Sequence, residues 1–140
     1  MVDCTFGGGG HSIKLLSEHP KNLKILGTDL DESMIEHCSN EYEQLIRKKK
    51  LALVHSNYAN LPLINLNHSF NLKSAVKKKF DIALLDLGFS SYQLEDENRG
   101  FSYLHEDQDL DMRYDCSDND SSTAPDIINN LTLFDLKEIF

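Results

Sequence analysis

Apolar runs alternate with helix-period segments along the chain, the pattern of a parallel sheet joined by crossover helices in an α/β fold. Met1 and Val2 run straight into Asp3 and a glycine cluster, which predicts the last part of a strand whose beginning is missing. Ser12 is placed to cap a helix through Ile13, Leu15 and Leu16 that His19 and Pro20 end. A second strand is predicted over Leu23–Thr28, stopping at Asp29. After it, Asp31 or Ser33 starts one long helix through Met34, Ile35, Cys38, Tyr42, Leu45 and Ile46, closed by Lys48–Lys50.

Leu51–Val54 reads as a short third strand, and residues 56–73, rich in Asn and Leu with Pro62, read as mostly loop. A basic turn at Lys77–Lys79 precedes the strongest strand signal, Asp81–Leu85, an apolar run of the kind buried on both faces of a parallel sheet. Residues 87–122 carry turn chemistry and charge with little periodicity, and so long a connection inside a compact domain points to function. Thr123 with Asp126, and Thr132 with Asp135, match the capping box and open short helices, the last of them cut off at Phe140.

The 140 residues, 40% of them hydrophobic, suit one globular domain. No apolar run approaches the roughly 20 residues that cross a bilayer, and no signal pattern opens the chain, so a soluble intracellular protein is expected. Cys4, Cys38 and Cys116 are odd in number and widely spread, which points to reduced thiols rather than a disulfide framework or structural zinc. The net charge of −9 is local: Glu95 to Asp120 holds ten carboxylates against two arginines, a net of −8, leaving −1 for the remainder. A polyanionic partner is therefore not excluded.

The segment Asp3-Cys4-Thr5-Phe6-Gly7-Gly8-Gly9-Gly10-His11-Ser12 places four glycines between a strand and a helix, where backbone passes close to a ligand of nucleotide type. A flexible glycine turn is the plain alternative. Asp29, 19 residues past Gly10 at the end of the next strand, is where a carboxylate accepts ribose hydroxyls, although such an acid also caps helices. Gly7-x-Gly9-x-x-Ser12 nearly fits the dinucleotide fingerprint, which keeps an NAD-dependent oxidoreductase open from the loop alone.

Four blocks in order narrow the choice. Asp3-x-Thr5-Phe6-Gly7-x-Gly9-Gly10-His11-Ser12, Leu85-Asp86-Leu87-Gly88-x-Ser90-Ser91-x-Gln93-Leu94, Arg99-Gly100-Phe101-Ser102 and Leu110-Asp111-Met112-Arg113 resemble the 16S ribosomal RNA cytosine-N4 methyltransferase family. The likeness spans the whole chain but only the front portion of the family's usual sequence. It implies a Rossmann-like, S-adenosylmethionine-dependent fold with strand order 3-2-1-4, an incomplete parallel sheet whose fourth strand is an uncovered edge. Residues 1–122 would be the front of the methyltransferase domain and 123–140 the start of a helical insertion.

By position, the resemblance implies that Gly9, Gly10 and His11 hold the methionine part of the cofactor, Asp29 the ribose and Tyr58 the adenine, with Asp86 and Gln93 completing the site. Physical sense supports these roles: an aromatic ring stacks on a purine, and Asp86 ends a strand at the carboxyl edge where α/β sheets bind ligands. For Tyr58 the alternative is a core aromatic. The expected partner is small-subunit ribosomal RNA or its particle, without membrane, in cytoplasm if bacterial or an organelle matrix if eukaryotic.

Asp107, Asp109 and Asp111 alternate like the start of an EF-hand, but Met112 stands where glycine is required, and a solvated acidic loop is favoured over any metal site. The family's usual Asp-Gly-Pro-Leu-Asp-Met-Arg is Asp107-Gln108-Asp109-Leu110-Asp111-Met112-Arg113 here. The six histidines are dispersed, and the basic runs Arg47–Lys50 and Lys77–Lys79 suit helix ends better than RNA contact. Methyl transfer to a cytosine amine, a poor nucleophile, needs positioning and an acceptor for its N–H, for which Asp111 is the candidate and Asp86 the alternative. A non-catalytic RNA-binding fragment of the same fold is the remaining alternative.

Overall fold

In this computed structural model the described residues are 1–64, 70, 80–96, 98–104 and 108–139. The basic turn at Lys77–Lys79, Asp107 and most of the tail of the Asn- and Leu-rich stretch lie outside them. The chain divides into two compact units, Met1–Gly88 and Phe89–Phe140.

The first unit is a parallel sheet. Its strands are β1 (Val2–Asp3), β2 (Ile25–Asp29), β3 (Leu51–His55) and β4 (Ala83–Leu84), in the order 3-2-1-4 that the resemblance implies. Val2 lies opposite Leu26 on one side and Ala83 on the other, and Ile25 opposite Leu51. Alternation along β2 feeds two cores, because successive side chains leave a strand on opposite faces. Ile25 packs with Phe6, Leu16, Met34, Cys38 and Leu51, while Leu26 packs with Val2, Cys4, Ala52 and Phe70.

Helix α1 (Gly10–Glu18) begins earlier than Ser12, and Gly9 rather than Ser12 occupies its N-cap. The correction has a physical cause: the Ser12 hydroxyl donates inward to Asp3 Oδ2 at 2.6 Å, and both residues are buried. Asp31, not Ser33, caps α2 (Glu32–Glu41), accepting from the Met34 amide. The expected single long helix is broken at Tyr42, whose ψ of 24° separates α2 from α3 (Glu43–Arg47). Tyr58–Leu63, expected as loop, forms a 3₁₀ helix that Asn57 caps.

The apolar run at residues 81–85 departs most from expectation. Only Ala83 and Leu84 pair, and Ile82, Ala83 and Leu85 are exposed rather than buried on both faces. β4 has β1 on one side and, among the described residues, no strand on the other, so the run lacks the second neighbour that burial requires.

In the second unit, Ser90 opens α4 (Ser91–Glu95) with a reciprocal capping box to Gln93, an S-x-x-Q pattern inside the stretch expected as loop. Thr123 and Asp126 open α5 (Ala124–Asn130) as predicted. Thr132 and Asp135 do the same for α6 (Leu133–Ile139), with the Thr132 hydroxyl donating to Asp135 at 2.6 Å.

Gly27 in the middle of β2 makes room for Phe6. A Cβ there would lie 2.4 Å from Phe6 Cδ2 and 2.8 Å from Leu53 Cδ2. Gly27→Ala is therefore expected to destabilise the chain by about 1–3 kcal/mol through overpacking. Urea denaturation measures it, and an unchanged midpoint would contradict this packing.

Candidate functional site

Parallel strands share a direction, so the segments after β1, β2, β3 and β4 all leave from the same edge of the first unit. They carry, in turn, the glycine loop with His11, Asp29, Tyr58 and Asp86. The chain runs outward from β1 through β2 to β3, then crosses to β4 on the far side, which makes the gap between β1 and β4 the switch point of the sheet. His11 and Asp86 meet across that gap, with Nε2 3.1 Å from Oδ2. The Asp86 amide donates to Thr5 Oγ1 at 2.8 Å, fixing the end of β4 to the start of the glycine loop.

Asp29 and the glycine loop are joined directly. The Gly7 amide donates to Asp29 Oδ2 at 2.7 Å, and the Asp31 amide to Asp29 Oδ1 at 3.1 Å. A carboxylate has about four lone-pair sites, so these two bonds leave acceptor capacity for hydroxyl groups. Tyr58 keeps 43% of its surface exposed, which removes the core-aromatic alternative.

The loop turns at Gly9, with φ of 79° and a Cβ position only 2.7 Å from Phe6 Cζ. Side chains at Gly8 and Gly10, by contrast, would meet no atom within 4 Å. The glycine face of the loop is thus open, while the ring of Phe6 fills the space beneath it.

Three residues missed as functional candidates hold this loop. Asp3 is buried and takes the Ser12 hydroxyl on one oxygen and the Thr5 amide, at 3.3 Å, on the other. Burial pushes its carboxyl above the usual carboxylate range. Cys38 in α2 and Tyr42 at its C-terminal cap, four residues apart, both reach the loop: the thiol donates to the Gly7 carbonyl at 3.4 Å and the phenol to the Gly8 carbonyl at 3.0 Å. Their apolar spacing in the sequence signals a core face and hides the donors each one carries. A depression lined by Glu18, His19, Pro20, Lys21 and Asn22 lies at the other end of α1 and shares none of this chemistry.

In the second unit, Gln93 is buried, and its Oε1 accepts from the Ser90 amide at 2.9 Å. Asp111 is gripped by Arg113 through Nε on Oδ1 at 2.8 Å and a terminal nitrogen on Oδ2 at 2.7 Å, the two-pronged geometry that carboxylates favour. These bonds hold the Asp111 carboxyl below the usual carboxylate range. The other terminal nitrogen of Arg113 donates to the carbonyls of Asp118 and Ser121, and buried Arg99 donates to those of Arg113 and Tyr114. Met112 between them has φ of 57°, which methionine seldom adopts. Among the described residues no cluster of three or more His, Cys, Asp or Glu suited to a metal ion occurs.

A parallel sheet of order 3-2-1-4 with a glycine loop after β1 and an acid at the end of β2 is the Rossmann-like arrangement of nucleotide-type binding folds. The model of the MraW methylase family matches residues 1–140, and the chain belongs to that family. A protein named Ribosomal RNA small subunit methyltransferase H from Clostridium botulinum (strain Okra / Type B1) is 38% identical over 139 residues, 99% of this chain and 40% of that protein. Its namesake from Finegoldia magna is 36% identical over 138 residues, 99% of this chain and 40% of the relative. Ribosomal RNA small subunit methyltransferase H 2 of Agathobacter rectalis shows the same identity and coverage. The chain spans about 40% of the length of these relatives.

The Asp111–Arg113 pair makes stability depend on pH in a definite sense. Because the folded state lowers the Asp111 pKa, its contribution is complete above the usual carboxylate range and is lost as pH falls through the lowered value. Arg113→Met should melt below the wild type at pH 7, with the gap narrowing on acidification to what the bonds to the Asp118 and Ser121 carbonyls contribute. Thermal melts across the acid range test it; a gap constant with pH would contradict the assignment.

Proposed function

We propose that this chain supplies the cofactor-binding front of an S-adenosylmethionine-dependent enzyme that methylates N4 of a cytosine in small-subunit ribosomal RNA. The observation that carries the nucleotide-type site is the 2.7 Å bond from the Gly7 amide to Asp29, which sets the glycine loop and a ribose-type acid at one carboxyl edge, and the family match supports methyl transfer over hydride transfer at that site. The open face at Gly8 and Gly10 suits close approach of a ligand to backbone, and exposed Tyr58 offers a ring to an adenine. S-adenosylmethionine would supply a methyl group already activated on a sulfonium.

The work left to the chain is to bind, orient and exclude water. Gly9, Gly10 and His11 would hold the methionine part, Asp29 the ribose hydroxyls and Asp86 the rim nearest β4. Gln93 and Asp111 enter through the motif resemblance. Asp111, kept ionised by Arg113, is the proposed acceptor for the cytosine N–H as positive charge develops on nitrogen. The target cytosine would be single-stranded or swung out of its stack. In this reading residues 1–122 are the front of the catalytic domain and 123–140 open a helical insertion. The names of the bacterial relatives support small-subunit ribosomal RNA as partner.

Calorimetric titration tests the cofactor. S-adenosylhomocysteine is expected to bind and NAD not to, and Asp29→Ala should weaken binding roughly 10-fold to 100-fold, the range for losing hydrogen bonds to a charged group. Binding of neither ligand would favour an RNA-binding role without turnover. Transfer of labelled methyl groups to small-subunit particles tests the reaction, and label on any base position other than cytosine N4 would refute the substrate assignment.

A further inference from the structure

We infer that Tyr42 and Cys38 are positioning residues of the cofactor site, holding the glycine loop in its binding shape by taking the carbonyls of Gly8 and Gly7. The inference rests on the cofactor reading above and adds the means by which so glycine-rich a loop is fixed before a ligand arrives.

A run of four glycines has more backbone freedom to lose than any other sequence of its length. If ligand binding had to order it, that entropy would be subtracted from affinity. The structure supplies restraints from behind the loop instead. The phenol of Tyr42 donates to the Gly8 carbonyl at 3.0 Å, and the thiol of Cys38 to the Gly7 carbonyl at 3.4 Å. The Gly7 amide is held at the same time by Asp29, so this peptide neighbourhood is tied on both its polar groups. With these carbonyls turned toward α2, the opposite side of the loop is left for ligand.

The anchors are themselves fixed. Cys38 is fully buried, its sulfur 3.9 Å from that of Met34, and burial pushes its thiol up to about 11, so it stays a protonated donor at neutral pH. The Tyr42 ring stands edge-on to Phe6 with centroids 6.5 Å apart, and burial likewise raises the phenol above its usual range. The break between α2 and α3 falls at Tyr42, where a continuous helix was expected. Phe6 in turn fills the space under Gly9.

The test uses the full chain with S-adenosylhomocysteine as probe, read by calorimetry, alongside amide hydrogen exchange at Gly8–Gly10. Tyr42→Phe and Cys38→Ala should each weaken binding roughly threefold to tenfold, the usual reach of one hydrogen bond, and speed exchange in the loop. Cys38→Ser, which restores a donor, should return affinity to about twofold of wild type or better. Tyr42→Phe removes a single oxygen, so it scores the clamp even if Cys38→Ala, at a buried position, fails to fold.

Unchanged affinity and exchange in Tyr42→Phe, or a loss in Cys38→Ala that Cys38→Ser does not reverse, overturns the inference. Weaker binding in Asp29→Ala with wild-type binding in Tyr42→Phe overturns the clamp alone and leaves the cofactor reading standing. A wild-type chain that takes no S-adenosylhomocysteine overturns both.

Discussion

Parallel pairing of β1 with β2 on one side and β4 on the other is the constraint from which the rest follows. It sends four chain segments out of one sheet edge and requires β1, only two residues long in this structure, to hold the centre. Asp3, the last residue of that strand, is buried, and it spends both carboxylate oxygens on what comes next, Thr5 and Ser12. Without those bonds an ionised acid at this depth would be costly; with them it becomes the hinge pin between strand, loop and helix.

The loop's shape is therefore set by its surroundings more than by its own composition. Glycine permits the turn at Gly9, but Phe6 below, Asp29 beside and α2 behind decide which turn is made. Under the proposed cofactor reading this is preorganisation in the ordinary sense: polar groups that would face a ligand are aimed before it arrives, and the ordering cost is carried by folding. The second unit shows the same economy. Arg113 orients Asp111 and closes the 118–121 turn, while Arg99 ties down the carbonyls of Arg113 and Tyr114.

Much of this was legible in the chain. The strand order followed from the family likeness, the helix caps at Asp31, Thr123 and Thr132 from local chemistry, and the carboxyl-edge placement of Asp29 and Asp86 from strands that end in an acid. What escaped had a common cause. Ser12, Cys38 and Tyr42 each match a local pattern, a cap for the first and an apolar stripe for the others, yet Asp3 at the end of β1 and, for Cys38 and Tyr42, loop carbonyls more than 30 residues away put their polar atoms to different use. Residues 81–85 misled for the opposite reason. Their apolar character fits a strand with neighbours on both sides, and β4 pairs on one side only among the described residues. Ser90 and Gln93 carry the same capping-box spacing as Thr123 and Asp126, within a segment whose lack of periodicity points to loop.

Gly27 shows how far the loop's demands reach into the sheet. A strand interior is a poor place for glycine on intrinsic grounds, yet the ring of Phe6 occupies the volume a methyl group would need, with Leu53 pressing from the next strand. Positions 6, 27 and 53 thus share one fixed volume, and divergence at any of them among descendants of this chain would have to be matched by a compensating change in size at another.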